Sequence, residues 1–163
     1  MAATASDRPT LIEMRVYAER LLARREYAVL ELQARLVKKW SGKWPGLEQI
    51  EERAAKLISA LQADGVLSDE RFAETFIRSR RLRCHGPVKI HAELRQRQVP
   101  EAVIAGKLEQ AEDDWVALAA AWLSRQCPGP LDFASRAKYY RRLINRGFSH
   151  QQAMGAMAGH SES

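Results

Sequence analysis

Cysteine is nearly absent from the 163 residues, Cys84 and Cys127 being the only two. Two thiols are too few for a disulfide framework and fit a chain kept reduced in a cytosol. Long apolar runs are missing as well. No stretch approaches the roughly 20 residues that span a bilayer. The opening MAATASDRPT lacks the apolar centre of a secretory signal. The expectation is a cytoplasmic chain with no membrane segment.

The signatures of catalysis are absent too. There is no GxxxxGK[ST] loop, no GxGxxG after a strand, no GxSxG and no HExxH. Cys84, His85, His91 and Cys127 lack the paired spacing of zinc ligands, and no carboxylate pair is placed for acid–base work. The chain reads as a non-enzyme without metal or cofactor.

Acid is scarce in one place only. Between Arg78 and Arg97, seven bases (Arg78, Arg80, Arg81, Arg83, Lys89, Arg95 and Arg97) face the single acid Glu93. The whole net charge of +6 therefore sits in that window, since the 19 other bases are matched by 19 other acids. A field concentrated in this way attracts anions and speeds encounter with them.

What the sequence does have is helix signals. Thr10-Leu-Ile-Glu13 and Ser149-His-Gln-Gln152 are capping boxes, the second with Phe148 placed as a staple. Ser68-Asp-Glu sets an N-cap and two acids where a helix dipole favours them. Gly86-Pro87 and Val99-Pro100 open helices, and Gly65 and Gly147 close them. These marks predict nine helices near 10–25, 28–40, 47–64, 69–83, 87–97, 100–112, 114–126, 133–146 and 149–157.

The chain also repeats itself. A shift of 49 residues lays LRQRQVPEAVIAGKL (94–108) on LINRGFSHQQAMGAM (143–157), and Leu36, Leu94 and Leu143 serve as common anchors. The fold class predicted is all-α: three tandem three-helix repeats in a curved, elongated array, each too small to bury its apolar face alone. The expected divisions are a disordered start (1–9), repeats at 10–66, 67–112 and 113–158, and a disordered tail (159–163). Three residues after each anchor stands a base, Lys39, Arg97 or Arg146. Such a base can offset a helix dipole or belong to a binding face. The third helices are acidic by contrast, Glu101, Glu109, Glu112, Asp113 and Asp114 opposing only Lys107.

On a helical wheel Phe72, Ala73, Phe76 and Ile77 share one stripe, and Arg80 returns to it. An arginine is rarely buried unpaired, so the helix is expected to overrun its packing partner and project as a basic spur. Cys84, among arginines, reads as a bland, partly buried thiol rather than a reactive one, and His85 as a turn residue. Trp115 and Trp122 share a helix face and read as core. Tyr139 and Tyr140 lie among bases, and one of them must point away from the stripe of Leu143.

RLLARREYAVLELQARL (20–36), GVLSDERFAETFIRSRRLRCHGPVKIHAELRQRQV (65–99) and RRLINRGFSHQQAM (141–154) together resemble the RecX family of bacterial recombination regulators. The resemblance implies the same array of three-helix repeats. It implies binding, as a monomer, to the RecA recombinase and to its nucleoprotein filament on single-stranded DNA. Such binding would restrain RecA ATPase, filament growth and strand exchange, in recombination and repair. The residues that fit this role are Arg78, Arg80, Arg81, Arg83, Lys89, Arg95 and Arg97, with Arg141, Arg142 and Arg146 second. They would meet DNA through its phosphate backbone. The sequence departs from the family pattern at Gln98, where glycine is common, and at Cys84, where a small residue is commoner. The alternatives are a helix-turn-helix DNA-binding protein and a helical scaffold for an unrelated protein.

Overall fold

A computed structural model describes residues 9–44, 46–111 and 115–161. Among these residues there are nine α-helices and no strand: α1 Leu11–Leu22, α2 Val29–Ser41, α3 Leu47–Ala63, α4 Asp69–Leu82, α5 Pro87–Gln96, α6 Glu101–Gln110, α7 Trp115–Gln126, α8 Phe133–Asn145 and α9 His150–Ser161. The all-α fold and the repeated helix triplets are as the sequence predicts. The expected residues 1–8, Pro45, the acids Glu112, Asp113 and Asp114, and residues 162–163 lie outside the described residues.

Local chemistry sets the helix starts. At Thr10 both halves of the capping box are made: Glu13 N–H donates to Thr10 Oγ1 at 3.1 Å, and Thr10 N–H donates to Glu13 Oε2 at 2.7 Å. Ser149 and Gln152 repeat the exchange before α9 at 3.2 and 2.8 Å, with Phe148 buried beside them. Asp132, unmarked in the sequence reading, caps α8 by accepting from Ser135 N–H at 2.7 Å.

Two findings differ at the ends. Pro9, placed in the disordered start, is buried, and its carbonyl accepts from Arg53 at 2.7 Å. The last helix continues past 157 through most of the expected tail, and His160 Nε2 lies 2.9 Å from the Gly129 carbonyl. That contact secures a turn whose sequence offers no apolar stripe.

By packing, the chain forms two compact units, residues 1–72 with 97–99 and residues 73–96 with 100–163. In the first, α1 and α2 pack on α3 around Met14, Ala18, Leu32, Leu36, Leu57 and Leu61. In the second, α7 and α8 pack on α9, and α5 on α6. Its main cluster holds Trp122, Leu123, Tyr139, Leu143, Phe148 and Met157. The repeat anchors Leu36, Leu94 and Leu143 are all fully buried. The middle triplet contributes residues to both units, so the repeat in sequence and the division in packing follow different boundaries.

Four residues have left-handed backbone: Gly65, Cys84, Gln98 and Gly147. Gln98 (φ 60°) and Gly147 (φ 92°) stand 49 residues apart, at equivalent places after α5 and α8. Gln98 therefore makes the turn that glycine makes in the third triplet, at the steric cost of a Cβ.

Candidate anion-binding surfaces

The start of α4 is fixed by two acceptors. Ser68 Oγ takes the Arg71 N–H at 3.2 Å, and Asp69 Oδ1 takes the Val29 N–H at 2.9 Å. Burial pushes the Asp69 carboxyl up, with Glu70 adding to it and the Val29 bond opposing. Phe72, Ala73 and Ile77 are buried, as the wheel requires.

The wheel also put Arg80 on that stripe, and here the structure corrects the sequence reading. Arg80 is no spur. Its side chain is only 20% exposed, its Nε donates to Glu93 Oε2 at 2.5 Å, and its guanidinium lies 4.4 Å over the Phe76 ring. The single acid of the basic window neutralises the arginine that returns to the buried stripe. The helix did not have to overrun its neighbour; it needed one counter-charge from α5.

The other bases sort into exposed and engaged. Arg78, Arg83 and Arg95 are exposed, and Lys89 half-buried, with no carboxylate partner among the described residues. Arg81 lies 5.5 Å over the Trp115 ring. Arg97 approaches Glu31 Oε1 at 3.3 Å and lies 6.0 Å from the Phe72 ring. Burial raises the Glu31 carboxyl, but hydrogen bonding to Arg25 and the charges of Arg25 and Arg97 outweigh it, so the net shift is downward. Arg146 spans two turns: its Nε donates to the Cys84 carbonyl at 2.9 Å, its Nη2 to the Arg83 carbonyl, and its guanidinium sits 5.0 Å over Trp122. It satisfies carbonyls that the end of α4 leaves open.

The three bases that follow the repeat anchors thus share a geometry. Lys39 lies 5.2 Å over Tyr17, Arg97 6.0 Å over Phe72 and Arg146 5.0 Å over Trp122. Each aromatic ring belongs to the first helix of its own triplet. The stripe is a recurring cation–π contact.

Arg146 also shapes the turn between α4 and α5. Cys84 is buried there at φ 54°, with its Sγ 2.7 Å from Arg125 Nη2. His85 Nδ1 is buried without a hydrogen-bond partner among the described residues. Burial, then the charges of Lys89 and Arg146, hold its pKa below the usual histidine value. Gly86 N–H donates to the Arg146 carbonyl at 2.8 Å, and Val88 N–H to the Gly147 carbonyl at 2.9 Å.

The sequence marks Lys107 only as the lone base among acids and does not mark Gln110, yet α6 brings both to a cleft with Arg78 and Arg81. With Glu74, Ile77 and Ala111 these residues line an open cleft of about 330 Å³. The signal was available in Glu74, Ile77, Arg78 and Arg81, which follow the i, i+3, i+4, i+7 spacing of one helix face. Lys107 is 3.8 Å from Glu74. No cluster of three or more metal-ligating side chains occurs among the described residues.

On α8, Arg141 and Arg142 are exposed and have no carboxylate partner among the described residues. Tyr139 turns inward, donating to the Gln126 carbonyl at 3.1 Å, while the Tyr140 hydroxyl lies 2.9 Å from His150 Nδ1. Trp122 is core, and Trp115 packs partly buried against it.

Residues 68–108, which contain α4, α5 and α6, match the family model described as RecX, second three-helix domain. The chain is 42% identical over 142 residues to the regulatory protein RecX of Chromohalobacter salexigens, covering 86% of this chain and 88% of that one. It is 40% identical over 147 residues to that of Halorhodospira halophila, covering 89% and 86%. The crystal structure of RecX from Lactobacillus salivarius shares the fold, with a TM-score of 0.76 at 16% identity over 94% of this chain and 97% of that one.

Proposed function

The chain belongs to the RecX family of regulatory proteins, and on that premise we propose that it binds the RecA recombinase and RecA filaments on single-stranded DNA. In this reading it is a cytoplasmic, non-enzymatic monomer. It inhibits RecA ATPase, filament growth and strand exchange by lying against the filament and bridging neighbouring subunits, so that their ATP-coupled rearrangement is blocked.

The observation that carries the reading is the set of bases on and beside α4 and α5 that no acid among the described residues answers: Arg78, Arg83, Lys89 and Arg95. Unanswered cations on rigid helices suit a phosphate backbone or an acidic protein face. Arg80, Arg97 and Arg146 are already engaged, by Glu93, Glu31 and the carbonyls after α4 respectively. A helix-turn-helix reading needs base-edge donors at the start of α5. His91, one of few candidates there, is already 2.6 Å from Glu101.

The test is RecA ATPase on single-stranded DNA at saturating levels of this protein. Inhibition is expected, and its relief by the triple replacement of Arg78, Arg83 and Arg95 with glutamate. Hydrolysis at full rate beside the unaltered protein would end this reading.

A further inference from the structure

The most exposed large apolar side chain among those described is far from the α4–α5 bases in sequence. Phe133, the first residue of α8, is 94% exposed. The helix it opens is unusual in charge as well. From Phe133 to Asn145 it carries Arg136, Lys138, Arg141 and Arg142 and no acid. Tyr139 and Leu143 face the core, and Phe133, Ala134, Ala137, Lys138, Arg141 and Arg142 are exposed.

Lys138, Arg141 and Arg142 have no carboxylate within ion-pair distance among the described residues. Lys138 and Arg142 lean over the Tyr139 ring at 5.5 and 5.6 Å, which fixes their stems without satisfying their charge. The nearest acid in sequence, Asp132, is spent on the Ser135 N–H, and that bond keeps its carboxyl below the usual range. It sits at the phenylalanine end of the face. The cations sit five to nine residues further on, roughly 8–14 Å along the helix.

We propose that the outer face of α8 is a single-stranded nucleic-acid site, in which Phe133 stacks on a base and Lys138, Arg141 and Arg142 hold the adjoining phosphates. The separation of ring from cations is what selects this occupant. A base offers a flat apolar surface to the ring, and its strand carries the phosphates onward to the arginines. A duplex keeps its bases stacked inside and leaves Phe133 idle. An acidic protein surface would answer the cations but gives the ring little apolar counterpart, because the exposed apolar residues beside it on α8, Ala134, Ala137 and Ile144, offer small or partial surface. The inference rests on the proposed function in taking single-stranded DNA as a partner, and goes beyond it in giving this chain its own base contact.

The experiment uses the full chain alone, without RecA. Fluorescence anisotropy follows binding to a labelled oligothymidylate of about 16 nucleotides and to an abasic strand of equal length. The unaltered protein is expected to prefer the base-bearing strand about tenfold. Phe133→Ala removes that preference and leaves abasic binding and its salt dependence unchanged, while Phe133→Tyr retains the preference. Arg141→Gln with Arg142→Gln weakens both strands and flattens the log–log salt slope by about 1.4. Equal binding of the two strands by the unaltered protein overturns the proposal, as does undiminished oligothymidylate affinity in Phe133→Ala. So does competition by polyglutamate as strong as that by the oligonucleotide. The RecA ATPase assay separates the two readings, because inhibition by a Phe133→Ala protein with intact oligothymidylate binding discards this site and keeps the RecA function.

Discussion

Gly86 and Gly147 touch backbone to backbone. A Cβ placed on Gly86 would stand 2.3 Å from the carbonyl carbon and oxygen of Gly147 and 2.4 Å from the Phe148 nitrogen. One on Gly147 would stand 2.2 Å from Lys89 Cβ and 2.6 Å from its nitrogen. The contact holds the start of α5, with its basic surface, against the turn between α8 and α9.

Gly86→Ala is therefore expected to destabilise the protein by at least about 1–3 kcal/mol, the range for forced overpacking. The atoms met are backbone and have no rotamer to retreat into. Gly147→Ala adds the cost of a Cβ at positive φ, roughly 1–2 kcal/mol. Thermal melts of the two variants measure both. Gly106, whose added Cβ meets nothing within 4 Å, is the control, and its alanine variant should melt at or above the parent.

Arg146→Ala is expected to lose roughly 2 kcal/mol or more, because it leaves the Arg83 and Cys84 carbonyls without their charged donor. Lys39→Ala loses only its contact over Tyr17, about 0.5–1 kcal/mol. Any loss of RecA inhibition in Arg146→Ala should follow its melting temperature. Weak inhibition by a variant that melts like the parent would instead put Arg146 in direct contact with the filament.

Gln98→Gly is expected to stabilise by about 1 kcal/mol, since the left-handed conformation at φ 60° no longer carries a Cβ. The melting temperature should rise by about 2–4 °C. An unchanged or lower melt would show that the Gln98 side chain contributes more than its backbone costs.

How much of this was legible beforehand depended on distance along the chain. Thr10 with Glu13 and Ser149 with Gln152 are each three residues apart, so the caps and the helix starts they set stand in the sequence itself. The basic window and its exposed members Arg78, Arg83 and Arg95 were visible for the same reason. The partners of Arg97 and Arg146 lie 66 and 62 residues away, and nothing local marks Glu31 or the Cys84 carbonyl. The exposure of Phe133 follows from two inward side chains, Tyr139 and Leu143, and the sequence alone settles the direction of Leu143 only. The 49-residue shift did carry structural truth, in the matched turns of Gln98 and Gly147.

His85 makes stability depend on pH. Its folded pKa is depressed by burial and by Lys89, Arg146 and Arg80, with Glu93 opposing. The unfolded chain therefore takes up the proton first, and stability falls as pH drops below about 6.5. The loss ends once the pH is below the folded pKa. Denaturant titrations between about pH 7.5 and 5 should show that decline, flattened in His85→Gln. An identical profile in the variant would exclude His85 as its source.

The turn after α4 and the turn after α8 are tied in both directions. Gly86 and Val88 donate to the carbonyls of Arg146 and Gly147, and the Arg146 side chain returns to those of Arg83 and Cys84. Neither turn can open without breaking bonds that close the other. Their amide protons should accordingly exchange with solvent in a single correlated event, Gly86 and Val88 at the protection of Phe148 rather than of a surface loop. A pair of loops more than sixty residues apart would then behave as one cooperative unit on the hydrogen-exchange timescale.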